Sequence, residues 1–210
     1  MKKNELTIIR IGLLGDSSVG KSAIVNTFFG NEFGGDLLAT IGSDKSEKLL
    51  KLKNKENIRL IIWDASGVER MKNVVMTTMK AVKGILLTFD VTKRESFDNL
   101  NSWLELIKNN LENPLIVLFG NKVDIEKDKW KVTSEEACIL AKEKGFAYFE
   151  CSAKTGQGIN EGLSYIANGI YCKMKGIDEK NIIININDLM EKPNKDSNCP
   201  GNKKSKNNKK

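Results

Sequence analysis

Lys21 and Ser22 close the stretch Gly15-Asp16-Ser17-Ser18-Val19-Gly20-Lys21-Ser22, and both are side chains that act on phosphate. At this spacing from two glycines, a lysine ammonium can reach the β- and γ-phosphates of a nucleotide, and the serine hydroxyl beside it can ligate Mg²⁺. The glycines let the backbone curl so that successive N–H groups face phosphate oxygens, with the positive end of a helix behind them. The plain alternative is a glycine-containing turn that binds nothing. What argues against it is the context on either side, which supplies the strand and helix that such a cradle needs.

The strand is Ile8-Ile9-Arg10-Ile11-Gly12-Leu13-Leu14, short, apolar and rich in β-branched residues; Ala23 to Phe29 has the spacing of a helix. Asn31 to Ile41 has two adjacent glycines and no periodicity, and is expected to be a loop. Lys48 to Lys53 and Ile58 to Trp63 flank the polar cluster Asn54-Lys55-Glu56-Asn57, which predicts an antiparallel hairpin whose second strand ends at Asp64. Residues 65–71 lack a pattern, and Lys72 to Val82 predicts a weak helix. Gly84 to Asp90 and, after Pro114, Leu115 to Gly120 are uniformly apolar strands. Phe97, Leu100, Trp103, Leu104, Ile107 and Leu111 recur at helical spacing, with Ser96 near the start, so one amphipathic helix is expected there, its aromatics in the core. Ser134-Glu135-Glu136 opens another helix, closed by Gly145 after Lys144. Ala147-Tyr148-Phe149 is a short strand, and Ile159, Leu163, Ile166, Ile170 and Met174 stripe a last helix. The alternation predicts an α/β fold: a mostly parallel six-stranded sheet with one antiparallel edge strand and helices on both faces. Ligands of such sheets bind at the carboxyl ends of the strands, where the cradle, Asp64 and the loop after Phe119 all lie.

Composition narrows the chemistry. The 210 residues are 40% hydrophobic, enough for one domain with a sizeable core. Histidine is absent, and Cys138, Cys151, Cys172 and Cys199 have no C-x-x-C spacing, which excludes ordinary zinc sites, a Ser-His-Asp triad and a disulfide scaffold. No apolar run is long enough to span a bilayer and no signal-peptide pattern follows Met1, so a cytoplasmic protein is expected. The net charge of +7 is misleading until it is located: residues 201–210 hold five lysines and no acid, leaving 29 basic against 27 acidic residues elsewhere. No nucleic-acid partner is therefore expected. The tail is expected to be largely disordered, with weak contact to anionic membranes as its alternative use. Ile182-Ile183-Ile184-Asn185-Ile186 is too apolar to be left in water, and either packs on the domain or docks a partner.

Two further stretches follow apolar strands, Asn121-Lys122-Val123-Asp124 and Glu150-Cys151-Ser152-Ala153-Lys154. The first is a weak signal in a chain this rich in Asn and Lys, and its position gives it weight. Together with the cradle they resemble the nucleotide site of Ras-superfamily small GTPases. The Rab branch is the most similar, from the cradle itself, Thr40-Ile41-Gly42, Trp63-Asp64, Gly67, Glu69-Arg70 and Asp90-Val91-Thr92, over roughly residues 6–174. The resemblance implies a small G-domain over residues 1–176, a variable tail over 177–210, and a monomer that binds GTP and GDP with Mg²⁺. It implies that the nucleotide is held by Gly15 through Ala23, by Thr40 and Gly67 at the γ-phosphate, and by Phe33 stacked on the base. Asn121 ties the base loop to the cradle, Lys122 lies along the base plane, and Ser152, Ala153 and Lys154 close its other side. Mg²⁺ is held by Ser22 and Thr40, with Asp64 acting through a water. A carboxylate such as Asp124 can accept paired hydrogen bonds from guanine N1–H and its amine, whereas adenine offers an acceptor at N1 and is repelled.

Hydrolysis would rest on Lys21, Thr40 and Gly67, but the chain departs from the branch at the next residue. Rab proteins usually read Asp-Thr-Ala-Gly-Gln-Glu-Arg-Phe; here the run is Asp64-Ala65-Ser66-Gly67-Val68-Glu69-Arg70-Met71, with Val68 at the glutamine position. The Gly-Val-Asp-Phe expected near position 42 is Gly42-Ser43-Asp44-Lys45, and Tyr-Tyr-Arg-Gly-Ala is replaced by Thr78-Met79-Lys80-Ala81-Val82. Drift is the plain alternative for these changes. Two functions are implied: a slowly hydrolysing switch in vesicle traffic, with an exchange factor, an activating protein and effectors as partners, or a guanine-nucleotide-binding platform without turnover. A kinase or ATPase would need another base loop. Cys199 lies eleven residues from the end, outside a C-a-a-X frame, so prenylation by that route is not expected and any place on endomembranes would be peripheral.

Overall fold

The computed structural model describes residues 6–31, 40–51, 57–68 and 71–177. Among them, six strands, β1 (Thr7–Leu14), β2 (Ser43–Lys51), β3 (Asn57–Ala65), β4 (Gly84–Asp90), β5 (Leu115–Asn121) and β6 (Ala147–Glu150), form one sheet in the order β2-β3-β1-β4-β5-β6. Only the edge strand β2 is antiparallel, paired with β3 from Ser43↔Ala65 to Lys51↔Asn57. This is the mostly parallel α/β sheet that the alternation of apolar runs predicts.

Helices α1 (Lys21–Phe29), α2 (Lys72–Thr78), α3 (Arg94–Asp98), α4 (Leu100–Asn110), α5 (Ser134–Lys144) and α6 (Ile159–Lys175) cover it. The strands are apolar on both sides because two cores sandwich them. On one face Ile9, Ile11, Leu60, Leu86, Val117 and Phe119 meet Phe28 of α1 and Leu163, Ile166 and Ile170 of α6. On the other, Ile85, Leu87, Phe89 and Leu118 meet Val75 of α2, Phe97 of α3, Trp103 of α4 and Ala137 of α5. Each fully buried aliphatic side chain among them contributes about 1.5–3 kcal/mol, which fixes the register of strands whose ends carry the site. That register pairs Leu13 with Asp64, Asp90 with Asn121 and Gly120 with Glu150, so five strand ends converge on one edge.

Three local expectations change. The single helix expected from Phe97 to Leu111 is two, interrupted at Asn99. Its polar residues serve the tertiary structure instead: Ser96 does not cap but receives the Asp90 N–H at 3.0 Å and donates to the Lys93 carbonyl at 2.8 Å, while the Asn99 amide reaches Asp16. Strand β2 begins at Ser43, well before the expected Lys48, and β3 runs one residue beyond Asp64. The expected helix over Lys72 to Val82 tightens into a 3₁₀ turn at Met79–Ala81. At α5 the cap is Thr133, whose hydroxyl accepts the Glu136 N–H, and Gly145 closes the helix at φ 73°, as its place in the sequence suggests.

Candidate functional site

The stretch between β1 and α1 wraps around its own lysine. Lys21 is 6% exposed, and its ammonium donates to the carbonyls of Gly15 (2.9 Å) and Asp16 (2.7 Å). Burial pushes its pKa down to about 8, opposed by the charges of Asp64 and Asp16. Gly15 has φ 140°, and a side chain there would overlap the Thr88 carbonyl, so only glycine lets the loop leave β1 in this direction. Ser17, Ser18, Gly20, Lys21, Ser22 and Ala23 then line a cavity of about 280 Å³ together with Thr40, Ala65, Ser66, Gly67 and Val68. Gly67 sits so close to the Asp16–Ser17 backbone that a Cβ would collide with it. Val19 is buried beneath the loop.

The three proposed metal-site residues come together from separate elements. Ser22 Oγ lies 3.1 Å from Thr40 Oγ1, which donates to Asp64 Oδ2 at 3.5 Å. Asp64 is 5% exposed, and burial pushes its carboxyl above the usual carboxylate range, with the Ser22 hydroxyl and the Lys21 charge opposing. Its Oδ1 has no hydrogen-bond partner among the described residues. Two hydroxyls beside a buried carboxylate with an unsatisfied oxygen form an all-oxygen donor set that fits a hard cation such as Mg²⁺.

On the other side, Asn121 is a hub: its Nδ2 donates to the Val19 carbonyl (2.8 Å) and its Oδ1 accepts the Ala153 N–H (3.1 Å). The base loop, the cradle and the segment after β6 are thereby locked together. Lys122, at φ 71°, donates to the Ser18 carbonyl (3.0 Å) and pairs with Asp90 (2.6 Å). Asp124 accepts from the Ser152 hydroxyl at 2.6 Å, with the Lys154 ammonium 4.0 Å away. Ser152 Oγ in turn accepts the N–H groups of Lys154 and Thr155.

Sequence reasoning missed several supporting groups. Asp90 pairs with Lys122 and is wholly buried; its place at the end of a uniformly apolar strand is the one signal the sequence holds for it. Thr27 of α1 donates to the Ala153 carbonyl at 2.5 Å, and nothing in its helical context marks it. The Asp16 side chain faces away from the cavity, Oδ1 accepting from Trp103 Nε1 (2.8 Å) and Oδ2 from Asn99 Nδ2 (2.7 Å), while its backbone carbonyl accepts from Lys21. Phe33, expected to stack on the base, and Glu69 and Arg70 lie outside the described residues.

Known proteins share this arrangement of sequence. A sequence model described as "Ras family" matches residues 10–172. The chain is 35% identical over 175 residues to Ras-related protein Rab-13 of Bos taurus, covering 83% of this chain and 85% of that protein. It is 33% identical over 202 residues to Ras-related protein Rab-4 of Dictyostelium discoideum, covering 92% and 97%. Against GTP-binding protein ypt2 of Schizosaccharomyces pombe it is 37% identical over 175 residues, covering 83% and 86%.

Proposed function

The chain belongs to the Ras family, as a Rab-like small GTPase, and from that premise we propose that it is a guanine-nucleotide switch with slow GTP hydrolysis, serving vesicle traffic. Residues 1–176 would form the nucleotide-binding domain and 177–210 a variable tail. In this reading Ser22 and Thr40 hold Mg²⁺, Asp64 acts through a water, and the ion supplies charge neutralisation on the phosphate oxygens. Lys21 faces the β- and γ-phosphates, and the Gly67 N–H the γ-phosphate. Phe33, Asn121, Lys122, Asp124, Ser152, Ala153 and Lys154 hold the base. Thr40 and Gly67, each contacting the γ-phosphate, would order the loops around positions 40 and 67 for effectors, and those loops would relax after hydrolysis. An exchange factor and an activating protein would set the cycle.

The observation that carries the slow rate is Val68 in the wall of the phosphate cavity. Hydrolysis needs a water aligned with the γ-phosphorus, and in Ras a glutamine in this loop orients it. An isopropyl group offers neither donor nor acceptor. Nucleotide binding uses other residues and should survive, so the GTP form is long-lived until an activating protein supplies polar groups. Val68→Gln should raise the single-turnover rate of GTP hydrolysis by about tenfold or more, roughly 1.4 kcal/mol of barrier. Equal rates in the two proteins would show that Val68 is not limiting. The same residue supports a second reading, a guanine-nucleotide-binding platform that does not turn over. Mass spectrometry of the co-purifying nucleotide separates them: GDP favours the switch, GTP the platform.

A further inference from the structure

Ser66 is a buried hydroxyl that the reading above leaves without a task. It lies two residues beyond Asp64, where the usual Rab run has alanine, so this loop loses an amide at position 68 and gains a hydroxyl at position 66. Ser66 is 2% exposed, and its N–H donates to the Gly42 carbonyl at 2.7 Å, which fixes its backbone against the segment after Thr40. Its residue lines the same cavity wall as Lys21, Ser22, Thr40 and Gly67. Its Oγ accepts the Val68 N–H at a long 3.4 Å, and no described residue accepts its proton. A hydroxyl has two lone pairs and one proton, so among the described residues one lone pair and the proton have no partner.

We propose that Ser66 orients the attacking water in place of the missing glutamine amide. This rests on the GTPase reading. The free lone pair accepts a proton of the water while the O–H donates to a γ-phosphate oxygen, which holds both reactants from one atom. The water oxygen bonds to the γ-phosphorus as the bond to the β–γ bridging oxygen breaks, and GDP leaves with that electron pair. One water proton stays on the new P–O group and the other passes to a phosphate oxygen, giving dihydrogen phosphate. Ser66 keeps its own proton throughout. A short hydroxyl places water less well than a long amide does, so the turnover it supports would be slow.

The test is single-turnover hydrolysis with saturating GTP and Mg²⁺, with nucleotide affinity measured in parallel by a fluorescent GDP analogue. Ser66→Ala should lower the rate about tenfold or more while GDP affinity stays within about twofold, because GDP lacks the phosphate that Ser66 would contact, and Ser66→Thr, which keeps the hydroxyl, should retain most of the rate. In the Val68→Gln background Ser66→Ala should cost little, because the amide takes over the task. An unchanged rate in Ser66→Ala overturns the proposal. So does an equal loss in both backgrounds, or a joint loss of rate and affinity, since a merely structural role behaves that way. Wild-type protein that binds GTP but shows no turnover above solution overturns it and leaves nucleotide binding intact. Failure to bind GTP overturns both readings.

Discussion

In the proposed guanine-nucleotide site Asp124 would set the choice of base through its surroundings as much as its charge. The Ser152 hydroxyl occupies Oδ1 at 2.6 Å and Lys154 stands 4.0 Å from Oδ2, so the carboxylate is aimed by neighbours before any ligand arrives. Guanine presents two donors along this edge and adenine an acceptor that would face like charge. GTP should therefore displace labelled GDP, while ATP at a similar concentration should not, and effective competition by ATP would refute the assignment. Asp124→Ala should weaken guanine-nucleotide binding by about tenfold to a hundredfold, the worth of a charge-assisted hydrogen-bond pair, as read by titration. At this scale the sequence was legible where spacing itself is chemistry. Gly15 to Ser22 carries its proposed role in its own order, and Asn121 to Asp124 in its place after an apolar strand. Asp90 and Thr27 do not, because each acts on a partner brought by the fold from another segment, across the sheet for Lys122 and from α1 to Ala153.

The cradle, α2 and α4 are tied at the level of elements by one aromatic ring. Trp103 of α4 is wholly buried and donates to Asp16 Oδ1; Lys72 of α2 sits 4.7 Å above the same ring and donates to Ser102 at 3.2 Å. Asp16→Ala would strand the indole N–H and leave Asn99 without its partner, so stability should fall by about 1.5–3 kcal/mol in denaturant unfolding. Trp103→Phe should weaken the tie between loop and helix with a further packing loss, and the two changes combined should cost less than their sum, since they share one bond. A strictly additive result would show that the bond does not couple them. The same contacts explain what could not be read beforehand. The apolar strands and the stripe of α6 were legible because period and burial coincide. The break between α3 and α4 was not, since the apolar spacing continues through it and Asn99 itself keeps a helical backbone. The early start of β2 was hidden because Ser43-Asp44-Lys45-Ser46-Glu47-Lys48 is polar; an edge strand needs only one partner, and β3 supplies it.

The whole molecule separates its charge from its chemistry. Residues 1–200 are nearly balanced, whereas five lysines without an acid crowd into 201–210. Among the described residues no helix is long and apolar enough to cross a membrane. The basic segment is a feature of the sequence that could draw this chain to an anionic bilayer. Each lysine near an anionic surface contributes about 1 kcal/mol, and the attraction fades beyond about 10 Å at 0.1 M salt. Binding should consequently be electrostatic: present on vesicles containing phosphatidylserine at low ionic strength, and largely lost as salt rises several-fold. Neutral vesicles should not retain the protein. Deleting residues 201–210 should abolish vesicle binding while leaving guanine-nucleotide affinity unchanged, because the cradle, Asp64 and the base loop all lie on the sheet edge formed before residue 155. Sedimentation with vesicles of the two compositions, for the full chain and the shortened one, measures each of these. Equal retention on neutral lipid, or undiminished binding after the deletion, would place the membrane contact on an apolar surface elsewhere and remove the lysines from that role.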